Sequence, residues 1–236
     1  MTILFDLDGT LSEPRRQILK EHQDILNDLC TKHVVGIVTG SNLEYILEQV
    51  PAANNIFLCP NNGSEIYYKE DKLTKLHSGR TLDNYPSAYK VVAGLWNYFE
   101  KIRDSSWYSQ FYGPVGDIIQ VRPSMFNFCP IGRGSDFTRR AKFARLDKEL
   151  NIRKNIINDI GFGWDVVLGG ETSFDIFPKG LDKTNVLGYF TKYYGDDILF
   201  FGNSFFEYGN DVCMRKVNHH EVNSPEETFR IVRELC

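Results

Sequence analysis

Two aspartates stand two residues apart near the start of the chain, in Asp6-Leu7-Asp8-Gly9-Thr10, directly after the apolar run Ile3-Leu4-Phe5. Carboxylates displayed at the end of a strand, on a turn that glycine permits, can attack a phosphorus centre, move a proton or hold Mg2+. An acidic turn that merely starts a helix has the same residues, so this pair alone decides little. Further positions add to it in chain order. Thr39 follows the apolar run Val34-Val35-Gly36-Ile37-Val38, where a hydroxyl and the first amides of a helix suit phosphate oxygens. Lys183 opens a helix and offers a charge that offsets phosphate and aspartate. Gly202-Asn203 ends the run Ile198-Leu199-Phe200-Phe201, and Asn210-Asp211 follows; oxygen ligands there complete an octahedral Mg2+ site. Each position also has an ordinary reading, as a strand end, a surface lysine or a helix cap. Their joint occurrence, each at a strand end or helix start, points to phosphoryl transfer.

The elements that must position these groups follow from periodicity. An amphipathic helix is predicted from about Arg15 to Lys32, with Ile18, Ile25, Leu26 and Leu29 at helical spacing. Ser41 and Glu44 have the spacing of a capping box for a second helix carrying Leu43, Ile46, Leu47 and Val50. Ile56-Phe57-Leu58 is a third short strand. The alternation of strand and helix predicts an α/β fold with a doubly wound parallel sheet, whose functional groups lie at the carboxyl ends of the strands. Near residue 80 the pattern changes. A helix from about Pro86 to Lys101 is followed by short antiparallel strands at Ile118–Arg122, Met125–Cys129, Val166–Leu168 and Ser173–Phe177, with one long charged helix, about Ser135 to Ile157, among them. The parallel pattern returns with a helix at Thr184–Tyr193, and Ser224-Pro225-Glu226-Glu227 opens the last helix. The expectation is a Rossmann-like core from residues 1–81 and 180–236, with an inserted α+β domain at 82–179.

Composition narrows the class. The chain has 236 residues, 42% hydrophobic and 25% charged, as a folded globular protein has. With 27 basic and 31 acidic residues and no basic run, nucleic acid is not an expected partner. No apolar stretch approaches the roughly 18 residues of a membrane span, and no secretion signal precedes the first strand, so no membrane partner is expected. The five cysteines lack paired spacing and read as free thiols of a reducing, cytoplasmic setting.

The four motifs resemble those of the haloacid-dehalogenase-like phosphotransferase superfamily. Within it, several stretches are similar to the eukaryotic-type phosphomannomutases: Asp8-Gly9-Thr10-Leu11-Ser12-Glu13-Pro14-Arg15, the run from Arg122 through Pro130-Ile131-Gly132-Arg133, and Gly169-Gly170-Glu171-Thr172-Ser173-Phe174-Asp175 through Gly180. The resemblance implies a catalytic set of Asp6 as nucleophile, Asp8 as general acid and base, Thr39 and Lys183. It implies Mg2+ at Asp6, the Asp8 carbonyl, Asn203 and Asp211, and a hexose 1,6-bisphosphate as activator. The hexose phosphate substrate would meet Arg15, Arg122, Arg133, Arg140, Ser173 and Asp175. Arginine forks suit a distal phosphate, and Ser173 and Asp175 alternate on a strand, so both face one side.

The implied activity is interconversion of mannose 6-phosphate and mannose 1-phosphate, a step toward GDP-mannose, in a homodimer formed through the cap. A sugar-phosphate phosphatase on the same scaffold is the alternative, because an aspartyl phosphate that meets water is hydrolysed. A binding protein that has lost catalysis would not need both Asp6 and Asp8. This chain departs from the family at Thr39-Gly40-Ser41-Asn42, where Gly-Gly-Ser-Asp is usual, so Ser41 shares the candidacy of Thr39. It departs again at Phe205-Phe206-Glu207-Tyr208, in place of a proline-glycine-rich turn, and Asn203 offers a carbonyl oxygen without a charge.

Overall fold

The computed structural model describes residues 1–159 and 163–236. In chain order its elements are β1 (Thr2–Phe5), α1 (Lys20–Lys32), β2 (Val34–Val38), α2 (Leu43–Gln49), β3 (Ile56–Cys59), β4 (Glu65–Lys69), β5 (Leu73–Ser78), α3 (Ala88–Arg103), β6 (Ile119–Val121), β7 (Phe126–Phe128), α4 (Phe137–Leu150), α5 (Ile152–Asp159), β8 (Asp165–Gly169), β9 (Ser173–Phe177), α6 (Asn185–Tyr194), β10 (Ile198–Gly202), β11 (Asn218–Glu221) and α7 (Pro225–Val232). They form two units, one from Met1–Arg80 with Gly180–Cys236, the other from Thr81–Lys179.

The first unit is built on a sheet of order β11-β10-β1-β2-β3-β4-β5. The strands from β11 to β3 run parallel, while β4 and β5 are added antiparallel. Its central strands are continuous apolar runs because both faces are covered. Ile3 and Phe5 of β1 pack with Leu26, Val35, Ile37, Phe201 and Phe229 on one face. Leu4, between them, packs on the other with Val38, Phe57, Phe190 and Phe200. Burying a phenylalanine such as Phe5, stacked 5.0 Å from Phe201, contributes roughly 1.5–3 kcal/mol. The pairing of Phe5 with both Ile37 and Phe201 brings the ends of β1, β2 and β10 level, so Asp6, Thr39 and Asn203 emerge from one edge of the sheet.

The second unit carries an antiparallel sheet of order β6-β7-β9-β8. Asn127 on β7 lies directly opposite Asp175 on β9, and Gln120 on β6 lies opposite Asn127. Phe126, Phe128, Phe174 and Ile176 are all buried in this unit.

Several local expectations need correction. Helix α1 begins at Lys20 rather than Arg15, because Arg15 sits in the left-handed region at φ +62° and cannot belong to a helical turn. The single long helix of residues 135–157 is two helices, parted at Asn151, which caps α4 at φ +52°. The cap of α2 is Asn42, whose side chain accepts from the Tyr45 amide, rather than Ser41. Strands β4, β5 and β11 carry no periodicity that predicts them. Strands β5 and β11 are the two sheet edges and are largely exposed, so neither has the apolar signature of the central strands; β4 lies inside β5 and fully buries only Ile66.

Candidate active site

Asp6 follows β1, and its amide is tied to the Phe201 carbonyl of β10 at 2.8 Å. The chain then turns back on itself: the amides of Thr10, Leu11 and Ser12 all point to the Leu7 carbonyl at 2.9–3.2 Å. Gly9 is required there twice over. Its φ is +83°, and a Cβ at this position would lie 2.2 Å from the Asn203 amide nitrogen. The close approach holds the Asn203 side chain against the Asp6–Asp8 turn. Asn203 Oδ1 accepts from the Ser204 hydroxyl at 3.1 Å.

Lys183 is the hub of the site. It lies just before α6 on a turn in which Asp182 Oδ1 accepts from the amide of Thr184 at 2.8 Å and also from its hydroxyl. Its ammonium is 1% exposed and donates to Asp6 Oδ1 at 2.5 Å and to Asp211 Oδ1 at 2.6 Å. Asp211 is fully buried, and its other oxygen accepts from the Ser204 amide at 2.9 Å. Gly202 makes room for this carboxylate, since a Cβ there would meet Asp211 Oδ2 at 2.6 Å.

Burial raises the Asp6 carboxyl pKa to about 7, against the opposing charge of Lys183. Burial also works against the Lys183 ammonium, but the charges of Asp211 and Asp6 together outweigh it and leave its pKa above the ordinary lysine value. Two carboxylates and one ammonium out of water are tolerable only because each is paired.

Asp8 has a different partner. The Tyr45 hydroxyl donates to Asp8 Oδ1 at 2.7 Å and itself accepts from the Arg15 amide at 3.1 Å. A hydroxyl has one proton, so the second bond commits that proton to Asp8. Burial raises the Asp8 pKa, while the bonds to Tyr45 and the Arg15 backbone oppose the rise. Thr39 is buried at the end of β2, and its Oγ1 accepts from the Ser41 amide at 3.2 Å.

The second unit gathers most of the remaining candidates. Arg122 donates from Nε to Gln120 at 3.1 Å and lies 3.7 Å from Asp175 Oδ1. Arg133 donates to Asn127 Oδ1 at 2.5 Å. Arg140 donates to the Thr172 hydroxyl at 2.6 Å and the Ser135 carbonyl at 3.2 Å. Ser173 and Asp175 both receive the Asn127 amide nitrogen, at 3.1 and 2.7 Å. Arg15 belongs to the first unit and is exposed.

Two residues at the centre of these networks escaped the sequence reading. Tyr45 left no signal, since nothing in spacing links residue 45 to residue 8. Asn127 did leave one: a lone amide between two phenylalanines on a buried strand needs polar partners.

Among the described residues no group of three His, Cys, Asp or Glu side chains is placed to hold a metal. The donors at the first unit's strand ends are nonetheless all oxygen, as a hard cation prefers: Asp6, the Asp8 carbonyl and the Asn203 amide oxygen. On the same loop as Asn203, the buried Asn210 Oδ1 has no hydrogen-bond partner among the described residues. This set fits Mg2+.

Comparison with known proteins places the chain in a family. The eukaryotic phosphomannomutase family profile matches residues 22–236. A phosphomannomutase of Arabidopsis thaliana is 32% identical over 246 aligned positions, covering 95% of this chain and 92% of that protein. That of Saccharomyces cerevisiae is also 32% identical, covering 99% and 93%. Among solved structures, a haloacid dehalogenase-like hydrolase from Bacteroides thetaiotaomicron superposes with a TM-score of 0.55 at 14% identity, covering 100% of this chain and 99% of that one. An N-terminally truncated, IMP-bound IMP-nucleotidase of Plasmodium falciparum gives 0.62 at 16% identity, covering 99% and 67%. At such identities these two speak for the fold alone. The sequence matches speak for more: the chain belongs to the eukaryotic phosphomannomutase family.

Proposed function

We propose that this protein interconverts mannose 6-phosphate and mannose 1-phosphate through an aspartyl phosphate on Asp6 and a hexose 1,6-bisphosphate. The observation that carries the reading is Lys183, buried and bonded to both Asp6 and Asp211, in a chain of this family. An inward lysine at a nucleophilic carboxylate offsets the charge that gathers when a phosphoryl group arrives. In the forward step a carboxylate oxygen of phosphorylated Asp6 leaves phosphorus as the sugar hydroxyl attacks, and Asp8 takes the hydroxyl proton. In the return step Asp6 attacks the other phosphoryl group, its ester bond to the sugar breaks, and Asp8 returns the proton to the leaving oxygen.

Asp6, the Asp8 carbonyl and Asn203 would hold Mg2+, with Asp211 beside them fixing Lys183. When bound, the ion would supply positive charge to the phosphoryl oxygens. Thr39 and the neighbouring amides suit the same phosphate. Within the second unit Arg122, Arg133 and Arg140 suit a second phosphate, and Ser173 and Asp175 suit sugar hydroxyls; Arg15 is a candidate on the family likeness alone. A homodimer through the inserted unit and a cytoplasmic location belong to this reading on the family likeness alone.

The test is a turnover assay with mannose 1-phosphate, Mg2+ and a hexose 1,6-bisphosphate, following mannose 6-phosphate and free phosphate together. Mannose 6-phosphate as the main product is expected. Free phosphate alone would mean a phosphatase, and neither product would mean a binding protein.

A further inference from the structure

Asn127 is 2% exposed, and its amide has both ends in use. Its oxygen accepts from Arg133 Nη1 at 2.5 Å. Its nitrogen faces Asp175 Oδ1 at 2.7 Å, Ser173 Oγ at 3.1 Å and the Phe174 carbonyl at 3.3 Å. The register explains why one side chain reaches so many: Asn127 pairs across the sheet with Asp175, and Ser173 is the next residue on the same side of β9.

The bonds also set directions. Ser173 donates its proton to the Gly169 carbonyl at 2.6 Å while its oxygen accepts from Asn127. With that proton committed, Ser173 can only accept from a ligand. Asp175 has one oxygen on Asn127 and close to Arg122, and as a carboxylate it too only accepts. Arginine donors on one side of Asn127 and oxygen acceptors on the other match a phosphate and the hydroxyls of the sugar that bears it.

We propose that Asn127 is the positioning residue of the inserted unit: its single amide orients Arg133 for phosphate and Ser173 and Asp175 for sugar hydroxyls, so that the two recognitions are set together. The proposal rests on the hexose-phosphate reading above. Asn127 does not meet the substrate; its amide is spent on the residues that do.

The experiment compares wild type with Asn127→Leu, which removes both ends of the amide at similar volume. Asn127→Asp serves as second variant; it keeps the acceptor for Arg133 and places a carboxylate against Asp175. KM and kcat are measured with mannose 1-phosphate, and again with analogues lacking one sugar hydroxyl. Losing oriented bonds to charged groups should raise KM about 10- to 100-fold, with a smaller change in kcat.

The hydroxyl analogues separate orientation from general damage. In wild type, deleting the hydroxyl held by Ser173 and Asp175 should cost about tenfold or more. In both variants that cost should shrink to within about twofold, because the acceptors are no longer aimed. Wild-type KM and an undiminished analogue penalty in both variants would overturn the positioning role. Absence of hexose-phosphate turnover in the wild-type enzyme would instead overturn the functional reading beneath it.

Discussion

Replacing Lys183 with methionine removes one charge from the most buried ionic cluster among the described residues. The ammonium is 1% exposed and bonds at 2.5 and 2.6 Å to carboxylates that are themselves 5% and 0% exposed. Methionine fills similar volume, so the loss is electrostatic rather than a cavity. What remains is Asp6 and Asp211 with no countercharge, in a place where burial already raises Asp6. Breaking a buried pair by deleting one partner costs about 3–5 kcal/mol. For a chain of this length each kcal/mol shifts the melting midpoint by roughly 2–4 °C, so Lys183→Met should lose about 6–20 °C. Proton uptake by one of the two carboxyls places the result toward the lower end. The assay is thermal unfolding of the metal-free protein at neutral pH, paired with mutase turnover, which should be lost. A midpoint within about 2 °C of wild type would refute the reasoning, because it would mean the two carboxylates do not depend on Lys183.

Other perturbations have equally definite outcomes. Tyr45→Phe deletes only the hydroxyl that donates to Asp8, and loss of a bond to a charged group should lower kcat about 10- to 100-fold with little change in KM; wild-type kcat would show that Asp8 needs no such partner. His22 is buried against Phe229 at 4.3 Å with Nδ1 unpartnered among the described residues, and desolvation lowers its pKa. Its contribution to stability is therefore full above the unfolded value of 6.5 and is lost as pH falls from there through the lower folded value. The urea midpoint should drop between pH 7.5 and 5.5, and His22→Gln should reduce that drop; an unchanged drop would place its origin elsewhere. Asn203→Asp adds a charge to the cation ligands and should lower the Mg2+ concentration for half-maximal activity about tenfold, the effect of ~1.4 kcal/mol. An unchanged or raised Mg2+ requirement would remove Asn203 from the ligand set.

The parts of this protein that were legible in its sequence are those whose chemistry and burial coincide. Ile3-Leu4-Phe5 followed by Asp6 and Asp8 could be read as a buried strand delivering carboxylates because two-sided burial demands an unbroken apolar run. Lys183 could be read as inward-facing only through its place in the series, since the residue type alone favours the surface. What the sequence hid are relationships fixed by tertiary contact. Asp211, read as a cation ligand, spends one oxygen on Lys183 and the other on Ser204, a pairing that requires the β10 and α6 ends to meet. Arg15 keeps the first helix from starting where the apolar spacing does, and Asn151 divides another, because left-handed residues are invisible to a pattern of apolar spacing. The edge strand β5 is exposed along its whole length, and β11 offers the core only the rings of His219 and His220, so neither needs an apolar run.

The most direct measurement is phosphoryl capture. The protein is mixed briefly with Mg2+ and a hexose 1,6-bisphosphate carrying labelled phosphate, quenched in acid and mapped by mass spectrometry. A single acid-stable, hydroxylamine-sensitive acyl phosphate on Asp6, absent from Asp6→Asn, is the predicted result, with mutase turnover lost to about a thousandth or less in that variant. Label on another residue, or undiminished turnover by Asp6→Asn, would contradict it.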